Sequence, residues 1–141
     1  MSEHDFINEL EEKCDLFGLQ FTDIYAHIER LVENENIKFF YITKETTALD
    51  LRKGLILDVF IITNNSVCIG HSVYKDGNFC DSKFLLSEVK SIEKRFDKNN
   101  IVIAIFPGFI PSTLWTVVDK KVNEEKLVRF HLDILNAWRT N

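Results

Sequence analysis

The chain has 141 residues, of which 45% are hydrophobic and 12% aromatic, so it can bury a core and is not globally disordered. Its net charge of −5 argues against binding to nucleic acid, and makes lipid headgroups unexpected partners, because phosphate neutralisation requires clustered basic side chains. Three cysteines without CxxC spacing, no signal-peptide pattern and no apolar run long enough for a bilayer predict a reduced, soluble, cytoplasmic protein.

The N-terminal segment, residues 1–36, is predicted to form an acidic helical hairpin. Ten acidic against two basic side chains give it a net charge of −8. Apolar residues at helical spacing predict a first helix over residues 3–17 that stops at Gly18. A second helix is expected to follow with Thr22 as its N-cap. The remainder, residues 37–141, is predicted to be a β-rich core within the same single domain.

The character of the sequence changes to β at residue 37. Residues 37–43 are rich in β-branched and aromatic side chains, which favour a strand. Two further strands are predicted over residues 55–63 and 67–74. The intervening Asn64-Asn65 is typical of a tight hairpin turn, because asparagine tolerates positive φ.

Residues 82–96 allow two interpretations, a helix capped by Ser82 or a turn that leads into a strand. Later strands are predicted over 101–106 and 112–118, which makes about six in meander order. A long C-terminal helix follows. We expect Asn123 to cap it, with a hydrophobic staple between Val122 and Leu127.

Three motifs carry a resemblance to a known superfamily. The run Val59 to Gly70 consists of two apolar strands around a polar turn, and Leu85 to Glu93 has an apolar-Leu-Ser-acid pattern. Trp138 lies deep in the last helix. Together, over about residues 54–138, they resemble the bacterial pleckstrin-homology-like (PH-like) and GRAM-type domains. The resemblance implies an α+β fold in which a bent, partly open antiparallel β-barrel is plugged by the C-terminal helix.

The chain departs from the pattern of that family, and one of the departures concerns phosphoinositide binding. Leu85 stands where the family has proline, and basic residues do not alternate across the first hairpin. Only Lys44, Arg52 and Lys53 lie near that position, with acidic residues among them. They are therefore candidate partner-binding residues rather than a lipid site.

The loop after residue 106 is the most distinctive one in the sequence. Phe109 and Ile110 stand between turn residues and are candidates for an apolar tip that contacts a partner or a membrane surface. The favoured alternative is that they cover an open end of the barrel.

No catalytic, cofactor-binding or metal-binding motif is recognisable. The four histidines have no ligand spacing, so structural histidines are favoured over catalytic ones, and no phosphate-binding glycine loop occurs. Asp58 interrupts an apolar strand. An exposed edge position is favoured for it over an inward carboxylate with a raised pKa.

These observations favour a non-enzymatic PH-like module that interacts with another protein. An alternative is a helix-grip or cone-shaped α+β fold that encloses a small apolar ligand in a Phe-lined pocket. A third is an enzyme with an unrecognised site. A long helix at residues 82–96 would weaken the PH-like interpretation.

Overall fold

The computed structural model describes residues 3–45, 54–108 and 113–140. Within these ranges the chain is α+β, with three α-helices and seven strands, which confirms the predicted class with one strand more than expected. The elements are α1 (Glu3–Phe17), α2 (Phe21–Val32), β1 (Ile37–Thr43), β2 (Leu55–Thr63), β3 (Val67–Tyr74), β4 (Phe79–Leu85), β5 (Ser91–Asp97), β6 (Asn100–Phe106), β7 (Trp115–Lys120) and α3 (Glu124–Arg139).

The strands form two antiparallel sheets, one of four strands in the order β1-β2-β3-β4 and one of three in the order β5-β6-β7. The described residues form no closed barrel. The predicted hairpin between β2 and β3 is confirmed. Its turn is closed by a hydrogen bond from the Ser66 amide to the Thr63 carbonyl at 2.9 Å, and Ser66 adopts a φ of 61°.

Both faces of the four-stranded sheet are covered. One face packs against α1 and α2 in what we name the helix-side core. The other packs against the three-stranded sheet and α3 in the inter-sheet core. Representative side chains of the helix-side core are Phe6, Leu10, Ile28, Val59 and Ile61, and those of the inter-sheet core are Phe60, Ile62, Ile103, Val117 and Phe130.

The two-sided burial corrects the expectation for Asp58. The side chain is 1% exposed, because β2 is an inner strand between β1 and β3. The Ser72 hydroxyl, directly across the β2–β3 ladder, donates a 2.5 Å hydrogen bond to the Asp58 carboxylate. The predicted exposed edge position is therefore wrong, since Asp58 shares a sheet face with Phe60 and Ile62, and the three-stranded sheet and α3 cover that face.

The ambiguous segment 82–96 is not helical. Most of it belongs to β4 and β5, which are joined by a single 3₁₀ turn over Leu86–Glu88. The helical spacing of apolar residues in this segment does not correspond to one buried face, because Leu85 and Phe96 are both exposed. The strand alternative is the correct one.

The predicted helix starts need correction in two places. Helix α2 begins at Phe21 after Gln20, so Thr22 lies inside its first turn and is not the N-cap. Asn123 does precede α3, but its side chain makes no capping bond and donates to Asp119 at 2.9 Å instead.

The staple predicted at the start of α3 is absent. Leu127 is buried, but Val122 is 85% exposed and cannot pack against it. At the other end of the helix, the Trp138 indole N–H donates to the Val89 carbonyl at 3.0 Å. This bond fixes the end of α3 against the connection between β4 and β5.

No helix in the described part of the chain is long and apolar enough to span a membrane.

Candidate functional site

A pocket of about 400 Å³ opens where α1, β1 and α3 meet, and we name it the α1–α3 pocket. Because β1 is the edge strand of its sheet, residues from both of its faces reach the pocket: Phe40 from the helix-side core and Tyr41 from the inter-sheet core. This volume is within the range of small-ligand sites. The lining residues are Glu9, Phe40, Tyr41, Val122, Asn123, Glu125, Lys126, Arg129, Phe130 and Asp133.

Three aromatic side chains supply the apolar part of the pocket wall. The rings of Tyr41 and Phe130 lie 5.4 Å apart between centroids, and Phe40 is 6% exposed beside them. The Tyr41 hydroxyl points away into a 2.5 Å hydrogen bond to Asp119. Burial, together with this carboxylate, raises the pKa of Tyr41 far above its usual value.

Charged side chains form the rest of the wall. The Lys126 ammonium lies 2.9 Å from Glu9 Oε1 and 5.4 Å from the centre of the Tyr41 ring. The second oxygen, Glu9 Oε2, is buried and accepts no hydrogen bond within the described ranges. On the α3 side, burial raises the pKa of Asp133, and the charge of Arg129 opposes that shift.

This arrangement can hold a hydrogen-bond donor. A buried carboxylate oxygen without a donor loses hydration that no other group replaces, which costs free energy. A small rotation of the partly exposed Glu9 side chain would bring Oε2 to a ligand N–H or ammonium group in the pocket and restore that bond. The aromatic wall beside it would contact the apolar part of the same ligand.

Lys44 is the one predicted site residue within the described ranges. It does not line the α1–α3 pocket, and its ammonium lies 5.4 Å from the Phe17 ring centre at the end of α1. Arg52, Lys53, Phe109 and Ile110 lie outside the described residues.

Sequence reasoning missed Glu9 and Lys126, which are 117 positions apart. One local signal was available. Glu9 is three residues after Phe6 and next to Leu10, both fully buried, so it lies on the inward flank of α1. An acid at that helix position indicates a buried or partnered carboxylate.

The structure brings two of the histidines into a cluster that their spacing in the sequence did not predict. His27 and His71 both contact Asp81, at 2.7 and 2.6 Å. His131 remains apart on α3, where burial and the charge of Lys94 lower its pKa.

Comparison of the chain with protein-family models, with curated proteins and with solved structures gives no match.

Proposed function

We propose that the chain is a non-enzymatic PH-like binding module, and that its α1–α3 pocket recognises an ammonium group carried on an apolar body. A lysine side chain next to an apolar residue of a partner protein has this chemistry. The observation that carries the proposal is that Glu9 lines a ligand-sized pocket while its buried Oε2 has no hydrogen-bond donor among the described residues.

Lys126 supports this choice of ligand because it already makes the expected contacts. Its ammonium binds one Glu9 oxygen and lies over the Tyr41 ring at a distance suited to a cation–π contact. A ligand ammonium at the second oxygen would share the Glu9 carboxylate with Lys126. Charge-assisted hydrogen bonds of this kind are roughly twice as strong as neutral ones.

The composition of the wall favours binding over catalysis. The described residues that line the pocket include no serine, cysteine or histidine. The Tyr41 hydroxyl is bound to Asp119, and its pKa is raised, so it is a poor proton donor or nucleophile at neutral pH.

The PH-like part of the proposal is supported by the order of elements. A four-stranded and a three-stranded antiparallel sheet are followed by one long helix that packs on both. The strand, 3₁₀ turn and strand at residues 79–97 also agree with it. An enclosed apolar ligand and an unrecognised active site stay predictions without a specific observation in their favour.

A matched pair of small probes tests the proposal. Phenethylammonium and the neutral 2-phenylethanol have similar apolar bodies and differ in charge. In ¹H–¹⁵N NMR titrations we expect the amine to bind at least about tenfold more tightly, since a hydrogen bond to a charged group contributes about 1.5–3 kcal/mol. The shifts should centre on Phe40, Tyr41 and Phe130.

Glu9→Gln keeps the shape of the side chain and removes its charge, so it should abolish the preference for the amine. Glu12→Gln is the matched control, because Glu12 is exposed on the outer side of α1. Equal binding of both probes, shifts outside the pocket, or an unchanged preference in Glu9→Gln would each refute the proposal. A lysine-containing peptide that binds only before acetylation would extend it to protein partners.

A further inference from the structure

A second cluster lies on the opposite side of the helix-side core, between α2 and the far edge of the four-stranded sheet. His71 on β3 and Asp81 on β4 are direct cross-strand neighbours. Their side chains meet with His71 Nδ1 at 2.6 Å from Asp81 Oδ1. His27 lies on α2, and its Nε2 is 2.7 Å from Asp81 Oδ2.

The three side chains offer one carboxylate and two imidazole nitrogens in a small volume. Each residue can offer one ligand atom, and these three atoms all lie within 4.8 Å of one another. The ring of Phe79 covers them, at 4.8 Å from the His71 ring and 5.1 Å from the His27 ring between centroids. The cluster therefore has an apolar wall on one side.

The two kinds of side chain in the cluster are shifted by different causes. Burial lowers the pKa of His71 in spite of the opposing effect of Asp81. Burial alone would raise the pKa of Asp81, but hydrogen bonds from both histidines outweigh it and lower that pKa. The carboxylate is therefore ionised at neutral pH.

We propose that His27, His71 and Asp81 form a binding site for one divalent transition-metal ion of the Zn²⁺ type. Two imidazole nitrogens and a carboxylate oxygen are a ligand set that such ions prefer, whereas Mg²⁺ and Ca²⁺ prefer oxygen alone. Three protein ligands leave a coordination position for water or a further group. The site is separate from the α1–α3 pocket and does not depend on the function proposed for it.

The rearrangement that an ion requires is small. Zn–N and Zn–O bonds of about 2.0–2.2 Å set tetrahedral ligand atoms about 3.3 Å apart. The hydrogen bond to whichever Asp81 oxygen binds the ion must open by roughly 0.6–0.7 Å, and the largest separation must close by at most about 1.5 Å. The side chains of His27 and Asp81 are 24% and 31% exposed and can move, while His71 is fully buried and fixed.

Each histidine must give up the N–H that now faces Asp81. His71 can transfer this proton to Nε2, which is buried and has no hydrogen-bond partner in residues 3–45, 54–108 and 113–140, so no bond among them is broken. His27 can transfer it to Nδ1, which lies 3.4 Å from the Arg30 guanidinium. Arg30 is exposed and free to swing away as the ion enters.

The test uses the full chain with Cys80→Ser, because Cys80 is exposed and its thiol could bind metal by itself. Isothermal titration with ZnCl₂ should show one equivalent bound, and MgCl₂ should show none. Long-range ¹H–¹⁵N spectra should show the proton of His71 moving from Nδ1 to Nε2. CoCl₂ should give the visible absorption of a low-symmetry Co²⁺ site.

His27→Gln and Asp81→Asn should each weaken Zn²⁺ binding by at least about tenfold. Both residues are partly exposed, and circular dichroism checks that each variant folds. His4→Gln is the control, since His4 is an exposed histidine on α1. If Asp81→Asn does not fold, His27→Gln and the imidazole spectra decide.

Three results would overturn the proposal. One is the absence of Zn²⁺ binding at concentrations well above that of the protein. Another is Zn²⁺ binding that His27→Gln leaves unchanged. The third is a His71 imidazole that keeps its Nδ1 proton when the ion is bound.

Discussion

The hydroxyl of Tyr41 donates a 2.5 Å hydrogen bond to the carboxylate of Asp119, and this bond joins the edge strands of the two sheets. Both residues are buried, and they are 78 positions apart in the chain. A second bond, from the Thr43 hydroxyl to the Val118 carbonyl at 2.7 Å, lies beside it. Polar side chains therefore link β1 to β7, which share no backbone ladder.

Tyr41→Phe should lower the free energy of unfolding by about 1.5–3 kcal/mol, because it removes a buried hydrogen bond to a charged group. Urea unfolding monitored by circular dichroism measures the loss. Tyr25→Phe is the control, since Tyr25 is partly exposed and stacks on Phe21 through its ring. Equal losses in the two variants would show that the Tyr41 hydroxyl contributes nothing specific.

The same hydroxyl should make stability fall at high pH. Burial and Asp119 raise the pKa of Tyr41 in the folded state, whereas an unfolded tyrosine titrates near 10. The folded state thus holds this proton more tightly. Its stabilisation is fully present below pH about 10 and is lost as the pH rises above that value. Between pH 9 and 11, the free energy of unfolding should decrease less steeply with pH for Tyr41→Phe than for the wild type. An equal decrease in both proteins would contradict the assignment.

Substitution of Gly70 should destabilise the protein, because two side chains lie close to its Cα. A Cβ at this position would lie 2.3 Å from Ser82 Oγ and 3.0 Å from Trp115 Nε1, which are themselves hydrogen-bonded at 3.1 Å. Gly70→Ala should therefore destabilise the protein by about 1–3 kcal/mol.

Ser82→Ala removes the nearest of these atoms, and the next contact with that side chain is at 3.7 Å. Gly70→Ala should consequently cost less in the Ser82→Ala background than in the wild type. A double-mutant cycle by urea unfolding measures the difference. Strictly additive losses would mean that Ser82 is not the obstacle.

The buried Asp58 should depend on its neighbour across the ladder. Ser72→Ala deprives the carboxylate of the 2.5 Å hydrogen bond from the hydroxyl, so we expect a loss of about 1–3 kcal/mol in the free energy of unfolding. Ser91→Ala, on an exposed residue of β5, should change stability by less than about 0.5 kcal/mol. Similar small losses at both sites would contradict this role of Ser72.

The three cysteines should differ sharply in reactivity. Burial raises the pKa of Cys68 to about 12, and burial with Asp15 nearby raises that of Cys14 to about 11. Cys80 is exposed. Ellman's reagent at pH 8 should modify one thiol in the folded protein and three in denaturant. Cys80→Ser should abolish the reaction of the folded protein, and a second reactive thiol there would be inconsistent with the packing.

The sequence predicts the early strands well because their signal is local. The bounds of β1, β2 and β3 agree with the β-branched and aromatic runs, and the Asn64-Asn65 turn separates the last two. These strands are buried on both faces, so the runs are nearly continuous and end sharply at polar residues.

The sites could not be predicted in the same way. Asp58 is buried because the three-stranded sheet and α3, which come later in the chain, cover its face of β2, and nothing around position 58 indicates that coverage. His27 and Asp81 are 54 positions apart, so their contact depends on how α2 lies across β3 and β4. No spacing rule for metal ligands reaches over that distance.

The packing of α1 and α2 also has a consequence for synthesis of the chain. These helices leave the ribosome before the strands, and the sheet face they cover is complete only when β3 has followed, at about residue 74. Until then Phe6, Leu10 and Ile28 have no partner strands for their apolar stripe. The ten acidic side chains of residues 1–36 give the nascent segment like charge, which opposes its association with other nascent chains during that interval.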